Sequence, residues 1–74
     1  MAIAFILMTC KLGSEKDVLQ ILRAVPEVKS DFRVYGVYDF ILQVEADTVE
    51  SLRALIRKIR LMEKVNSTLF LLVI

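Results

Sequence analysis

The chain has 74 residues and a net charge of +1, with one cysteine and no histidine. That length suits one small domain, the near-neutral charge gives no field for nucleic acid or an anionic membrane, and the missing imidazole removes the commonest general base and metal ligand. Hydrophobic residues make up 57% of the sequence, more than so short a chain can hide in its own interior, so association with further copies is expected.

A lone Cys10 excludes an intramolecular disulfide framework and fits a reducing, cytoplasmic setting. The opening run Met1–Met8 is apolar but has no basic residues before it. It is also too short for a membrane span, so neither a signal peptide nor an anchor is expected.

Ala2–Cys10 reads as the first strand. Ile3, Phe5 and Leu7 alternate with Ala4, Ile6 and Met8, so both faces are apolar and the strand should be covered on both sides. Gly13 and Ser14 end it and open a helix, with Ser14 as cap and Asp17 completing a capping box. Val18, Ile21, Leu22 and Val25 mark the apolar stripe of that helix, and Pro26 stops it. Val28–Tyr35 is a second strand whose Lys29, Asp31 and Arg33 suit an edge.

Gly36 makes a turn, and Tyr38–Glu45 returns as a third strand with Phe40, Leu42 and Val44 on one side. Asp47, with Glu50 three residues on, is expected to cap a second helix. Leu52, Leu55, Ile56 and Ile59 form its inner stripe. Thr68–Ile74 closes the series as a strand apolar on both faces, like the first. The order β-α-β-β-α-β is the ferredoxin-like α+β arrangement, a four-stranded antiparallel sheet with two helices on one face. The doubly apolar first and last strands are expected at its centre. Helices on one face leave the other bare, and burying each of its apolar side chains is worth roughly 1.5–3 kcal/mol. A second copy packed sheet to sheet would supply that burial.

Chemistry is sparse. Ser14, Ser30, Ser51 and Ser67 have no imidazole partner, and the acids form no converging pair, so no enzyme, cofactor or metal site is expected. Met8-Thr9-Cys10 invites comparison with copper carriers, but their second cysteine is Gly13 here, and two thiolates are what hold copper(I). Arg53, Arg57, Arg60 and Lys64 form a stripe on the second helix. It reads as a solvated face with cations toward the negative helix end, without the interleaved aromatics of a single-strand nucleic-acid binder.

The loop Tyr35-Gly36-Val37-Tyr38-Asp39 offers more. A glycine turn exposes backbone amides that can hold a carboxylate, and Asp39 is a fixed anion suited to an ammonium. A free α-amino acid carries both groups on one carbon. The same residues would equally make a plain tight hairpin.

Val34-Tyr35-Gly36-Val37-Tyr38-Asp39-Phe40-Ile41-Leu42-Gln43-Val44 resembles the Gly-x-Tyr-Asp-aromatic-aliphatic signature of the C-terminal effector (RAM) domain of Lrp/AsnC transcription regulators. The resemblance extends to the first strand, to Val25-Pro26-Glu27-Val28 and to Val65-Asn66-Ser67-Thr68, and so covers residues 1–74 as one domain. It implies sheet-to-sheet dimers that assemble into rings, commonly octamers, with amino acids bound at contacts between dimers. Tyr35, Gly36, Val37, Tyr38 and Asp39 would line the pocket, with Ser67 and Thr68 beside it. Because the resemblance starts at the first strand, a stand-alone version is expected, one that responds to an amino acid and associates with full-length regulators. An assembly partner without its own ligand is the alternative, and an enzyme of the dimeric α/β-barrel kind a more distant one. Two positions depart from the pattern: Lys64 replaces a usual glycine, and Phe70 a frequent hydroxyl residue, which favours an apolar amino acid.

Overall fold

The computed structural model describes residues 1–74. Its elements are β1 (Ala2–Cys10), α1 (Glu15–Arg23), β2 (Val28–Arg33), β3 (Phe40–Ala46), α2 (Val49–Arg60) and β4 (Val65–Leu72). All strand pairs are antiparallel, in the order β2-β3-β1-β4. This is the expected ferredoxin-like α+β fold.

One part of the topology differs from expectation: β1 is central, but β4 lies at an edge and β3 takes the other central place. The connections explain it. The crossover β1-α1-β2 leaves a gap that β3 fills by returning beside β2. The second crossover then carries β4 to the free side of β1. Apolar side chains on both faces of β4 therefore do not mark a covered strand.

The period-2 alternation of β1 sends Ala2, Ala4, Ile6, Met8 and Cys10 into one core with Phe40, Leu42 and Val44 of β3. Val18, Leu19 and Leu22 of α1 and Leu52, Leu55, Ile56 and Ile59 of α2 close over them. In α1 the buried stripe is thus turned from the expected one. Leu19 goes inside, while Ile21 is exposed and faces a groove with Val25, Pro26 and Ala54.

Neither expected capping box forms. The Ser14 hydroxyl donates to the Lys11 carbonyl at 2.6 Å and makes no bond to the helix, because the turn at Gly13 brings that carbonyl within reach. Thr48, not Asp47, caps α2, its Oγ1 accepting from the Ser51 amide at 3.2 Å. Strand ends also shift: β2 stops at Arg33, β3 starts at Phe40, and β4 begins at Val65.

The opposite face of the sheet has no helix. Its centre is Ile3, Phe5 and Leu7, flanked by Ile41 of β3 and by Leu69 and Leu71 of β4. Phe32 of β2 stands beside Ile41 and is 52% exposed.

Candidate functional site

One end of the sheet gathers the C-terminus of β1, the β2–β3 connection and the start of β4. The connection, Val34–Asp39, is pinned at its base. The Val34 amide donates to the Asp39 carbonyl at 3.0 Å, and the Asp39 amide to the Met8 carbonyl at 2.9 Å. Gly36 sits at φ +139°, a backbone region that side chains disfavour. An added Cβ there would meet nothing within 4 Å, so the glycine answers to backbone conformation and not to crowding.

Asp39 is held by its own side chain as well. Its Oδ2 accepts from the Cys10 amide at 2.9 Å, which ties the loop to the end of β1 and leaves Oδ1 unbonded. The amides of Tyr35, Gly36, Val37 and Tyr38 make no hydrogen bond within the chain. The loop thus combines a held carboxylate with four amides that have no partner within the chain. Tyr35 and Val37 project into solvent, at 106% and 85% exposure, while Tyr38 and Asp39 are half-buried.

The two hydroxyl residues part company. Ser67 lies opposite Thr9 on the bare face, their hydroxyl oxygens 2.7 Å apart. Thr68 lies opposite Met8 on the helix side, where its Oγ1 accepts from Arg60 Nε at 2.8 Å. Sequence reasoning passed over Thr9, although strand parity places it with Ser67, and the Cys10 amide, which no side-chain pattern reveals. Lys64 pairs with Asp17 at 3.1 Å. Phe70 lines the cleft between α2 and β4.

Cys10 is buried, and its thiol is pushed up to about 11, first by burial and then by the charges of Asp39 and Glu15. It is the wrong cysteine for nucleophilic or metal chemistry. No group of His, Cys, Asp and Glu side chains is arranged to hold a metal ion, and no helix is long and apolar enough to cross a membrane.

Residues 3–74 match the family model of the Lrp/AsnC ligand-binding domain. The chain belongs to the Lrp/AsnC family. The crystal structure of FFRP-DM1 is similar over 100% of both chains, with 44% identity and a TM-score of 0.97. A hypothetical protein from Pyrococcus horikoshii is likewise 44% identical, with a TM-score of 0.93 over 100% of this chain and 90% of that one. AsnC of E. coli shares 25% identity and a TM-score of 0.88, and there 99% of this Lrp/AsnC domain corresponds to 50% of the longer protein. No curated protein matches the chain. The family is one of transcription regulators, not of enzymes.

Proposed function

We propose that this Lrp/AsnC domain binds a free amino acid at the Val34–Asp39 end of its sheet, and that the ligand biases how copies assemble. The observation that carries the reading is the pairing of Asp39, whose second carboxylate oxygen is free, with the unbonded amides of residues 35–38. Asp39 would meet the ammonium and the amides the carboxylate, with Gly36 keeping the turn open. Tyr35, Val37, Tyr38 and Ser67 would contact the rest of the ligand. Thr68 would act through Arg60, on the helix side.

A single copy leaves this end open to solvent. The groove beside Ile21 and the cleft between α2 and β4 are lined by other residues. A second subunit would complete the enclosure, as the family's binding between dimers implies. The bare face carrying Ile3, Phe5 and Leu7 supports a sheet-to-sheet homodimer, and dimers would close into a ring of the family's common octameric size. In this reading residues 1–74 are one cytoplasmic regulatory domain without catalysis or cofactor, acting by association with full-length Lrp/AsnC regulators and not by direct DNA contact.

Asp39→Asn tests the ligand. The amide side chain keeps an oxygen for the Cys10 N–H but loses the charge and turns the second acceptor oxygen into an N–H donor. Charged hydrogen bonds are worth about 1.5–3 kcal/mol, so affinity should fall roughly ten- to a hundredfold with the fold intact. A thermal-shift screen of the proteinogenic amino acids would identify the ligand, and calorimetry on wild type and variant would compare them. Equal affinities in a folded variant would leave Asp39 a turn residue only.

A further inference from the structure

We infer that the outer edge of β4, with the arginine row of α2 beside it, is a docking site for an extended acidic segment of another protein. The two sheet edges are built differently. On β2, Lys29, Asp31 and Arg33 alternate along the strand, and the pairing with β3 is broken by a register shift between Val28 and Ser30. Charges and irregularity are how natural sheets keep other strands from adding. The eight residues of β4, Val65–Leu72, contain no proline and no charge. Their pairing with β1 also has a register shift, between Thr9 and Cys10, but it lies at the start of β4 and the pairing is regular from Ser67 to Leu72. Charge is therefore what separates the two edges.

The exposed backbone of that edge can be assigned. The Val73 amide donates to the Ile3 carbonyl at 2.9 Å, so in the alternating antiparallel pattern Leu71, Leu69 and Ser67 also bond to β1. The N–H and C=O groups of Thr68, Phe70 and Leu72 then point away from the sheet. Their side chains lie on the helix side, where Phe70 and Leu72 line a cleft of about 400 Å³ with Arg53, Ile56, Arg57 and Arg60. No acidic residue lines it. The two ion pairs of the chain, Arg23–Asp31 and Lys64–Asp17, involve other residues. The side chains of Arg53 and Arg57 make no hydrogen bond, and Arg60 is oriented toward the strand by Thr68.

An added strand would place alternate side chains over this cleft at intervals of roughly 6.5–7 Å. Arg53, Arg57 and Arg60 span about 10.5 Å along the helix axis, which suits two or three carboxylates at every second position. A second copy adding through its own β4 would bring two arginine rows together, so charge disfavours that occupant. The outward groups alternate N–H donors with C=O acceptors, which a polypeptide strand can pair in full, whereas a sugar-phosphate chain could accept from the N–H groups but has no matching N–H donors for the carbonyls. Strand addition with charge selection is an established recognition mode.

The test is fluorescence anisotropy on the intact chain with a labelled peptide alternating glutamate and valine. Binding should weaken at least about tenfold with Arg53→Glu/Arg57→Glu, whose sites are exposed, and with a peptide N-methylated at alternate amides. Hydrogen exchange should show the Phe70 and Leu72 amides protected by the unmodified peptide. The idea is overturned if that peptide does not bind, if N-methylation changes nothing, or if a single-stranded oligonucleotide of equal charge competes as well.

Discussion

The two faces of the sheet are made from the same strands and end differently. On one, Ala4, Ile6, Met8, Phe40, Leu42 and Val44 are fully buried under the helices. On the other, Ile3, Phe5, Leu7 and Ile41 are half-buried, and Phe32, Leu69 and Leu71 are exposed. Composition barely separates the faces; only the helices do. The covered face supplies the core of the fold, and the bare face leaves apolar side chains open to solvent.

Adjacent residues of β3 sharpen this contrast most. Leu42→Ala removes a fully buried side chain and should cost about 2–5 kcal/mol at any protein concentration. Ile41→Ala, one residue away on the bare face, should cost about 1–2 kcal/mol, and that cost should grow with protein concentration as assembly begins to contribute. Denaturant unfolding at several concentrations separates them. Equal, concentration-independent losses would mean that the bare face has no partner.

Leu7→Glu attacks the bare face directly. Leu7 lies between Ile41 and Leu69 in the pairing, and a carboxylate there cannot be buried against another copy without a large desolvation cost. Light scattering should show assemblies for the wild type and monomers for the variant, with circular dichroism unchanged. A wild type that is monomeric at micromolar concentration would sink the dimer reading.

Much of the fold was legible because strand parity and helix periodicity are local. Alternation alone groups Phe40, Leu42 and Val44 on one side of their strand, which the structure buries, and helical spacing groups Leu52, Leu55, Ile56 and Ile59. The position of β4 was not legible, since a doubly apolar strand looks the same whether covered or waiting at an edge. Caps failed for a similar reason: Ser14 and Thr48 both had hydroxyls in reach, and the loop path decided which met an amide. At the site, the glycine turn and Asp39 stood out in the sequence. The bond from the Cys10 amide to Asp39 joins residues far apart in the chain and leaves no local trace.

Cys10 probes how firmly the covered face is closed at the site end. Its thiol is raised to about 11 from an ordinary 9.0, so at pH 8 the thiolate fraction alone should slow alkylation roughly a hundredfold relative to an unfolded chain. A group raised in this way contributes stability that is complete below pH 9 and lost as the pH rises through about 11. Iodoacetamide labelling followed by mass spectrometry, with and without urea, checks the first part. Equal rates in the two conditions would mean that this end opens freely.

The smallest effect is expected where the covered face meets the β2 edge. Arg23 of α1 reaches Asp31 of β2 with two hydrogen bonds, Nε to Oδ2 at 3.0 Å and Nη2 to Oδ1 at 2.9 Å. The hydrogen bond from Arg23 holds the Asp31 carboxyl below its ordinary range. Both partners lie at the surface, where solvent and salt screen a pair and ordering two side chains offsets much of its attraction. A lowered carboxyl contributes stability that is present above its unfolded pKa and lost as the pH falls through the folded value. Arg23→Ala should therefore lower the melting temperature slightly at neutral pH, less in high salt, and not at all once Asp31 is protonated. Thermal melts of wild type and variant across the acid range decide it. A gap that persists unchanged into acid would show that Arg23 acts by packing its stem over α1 and β2, and that its charge is incidental.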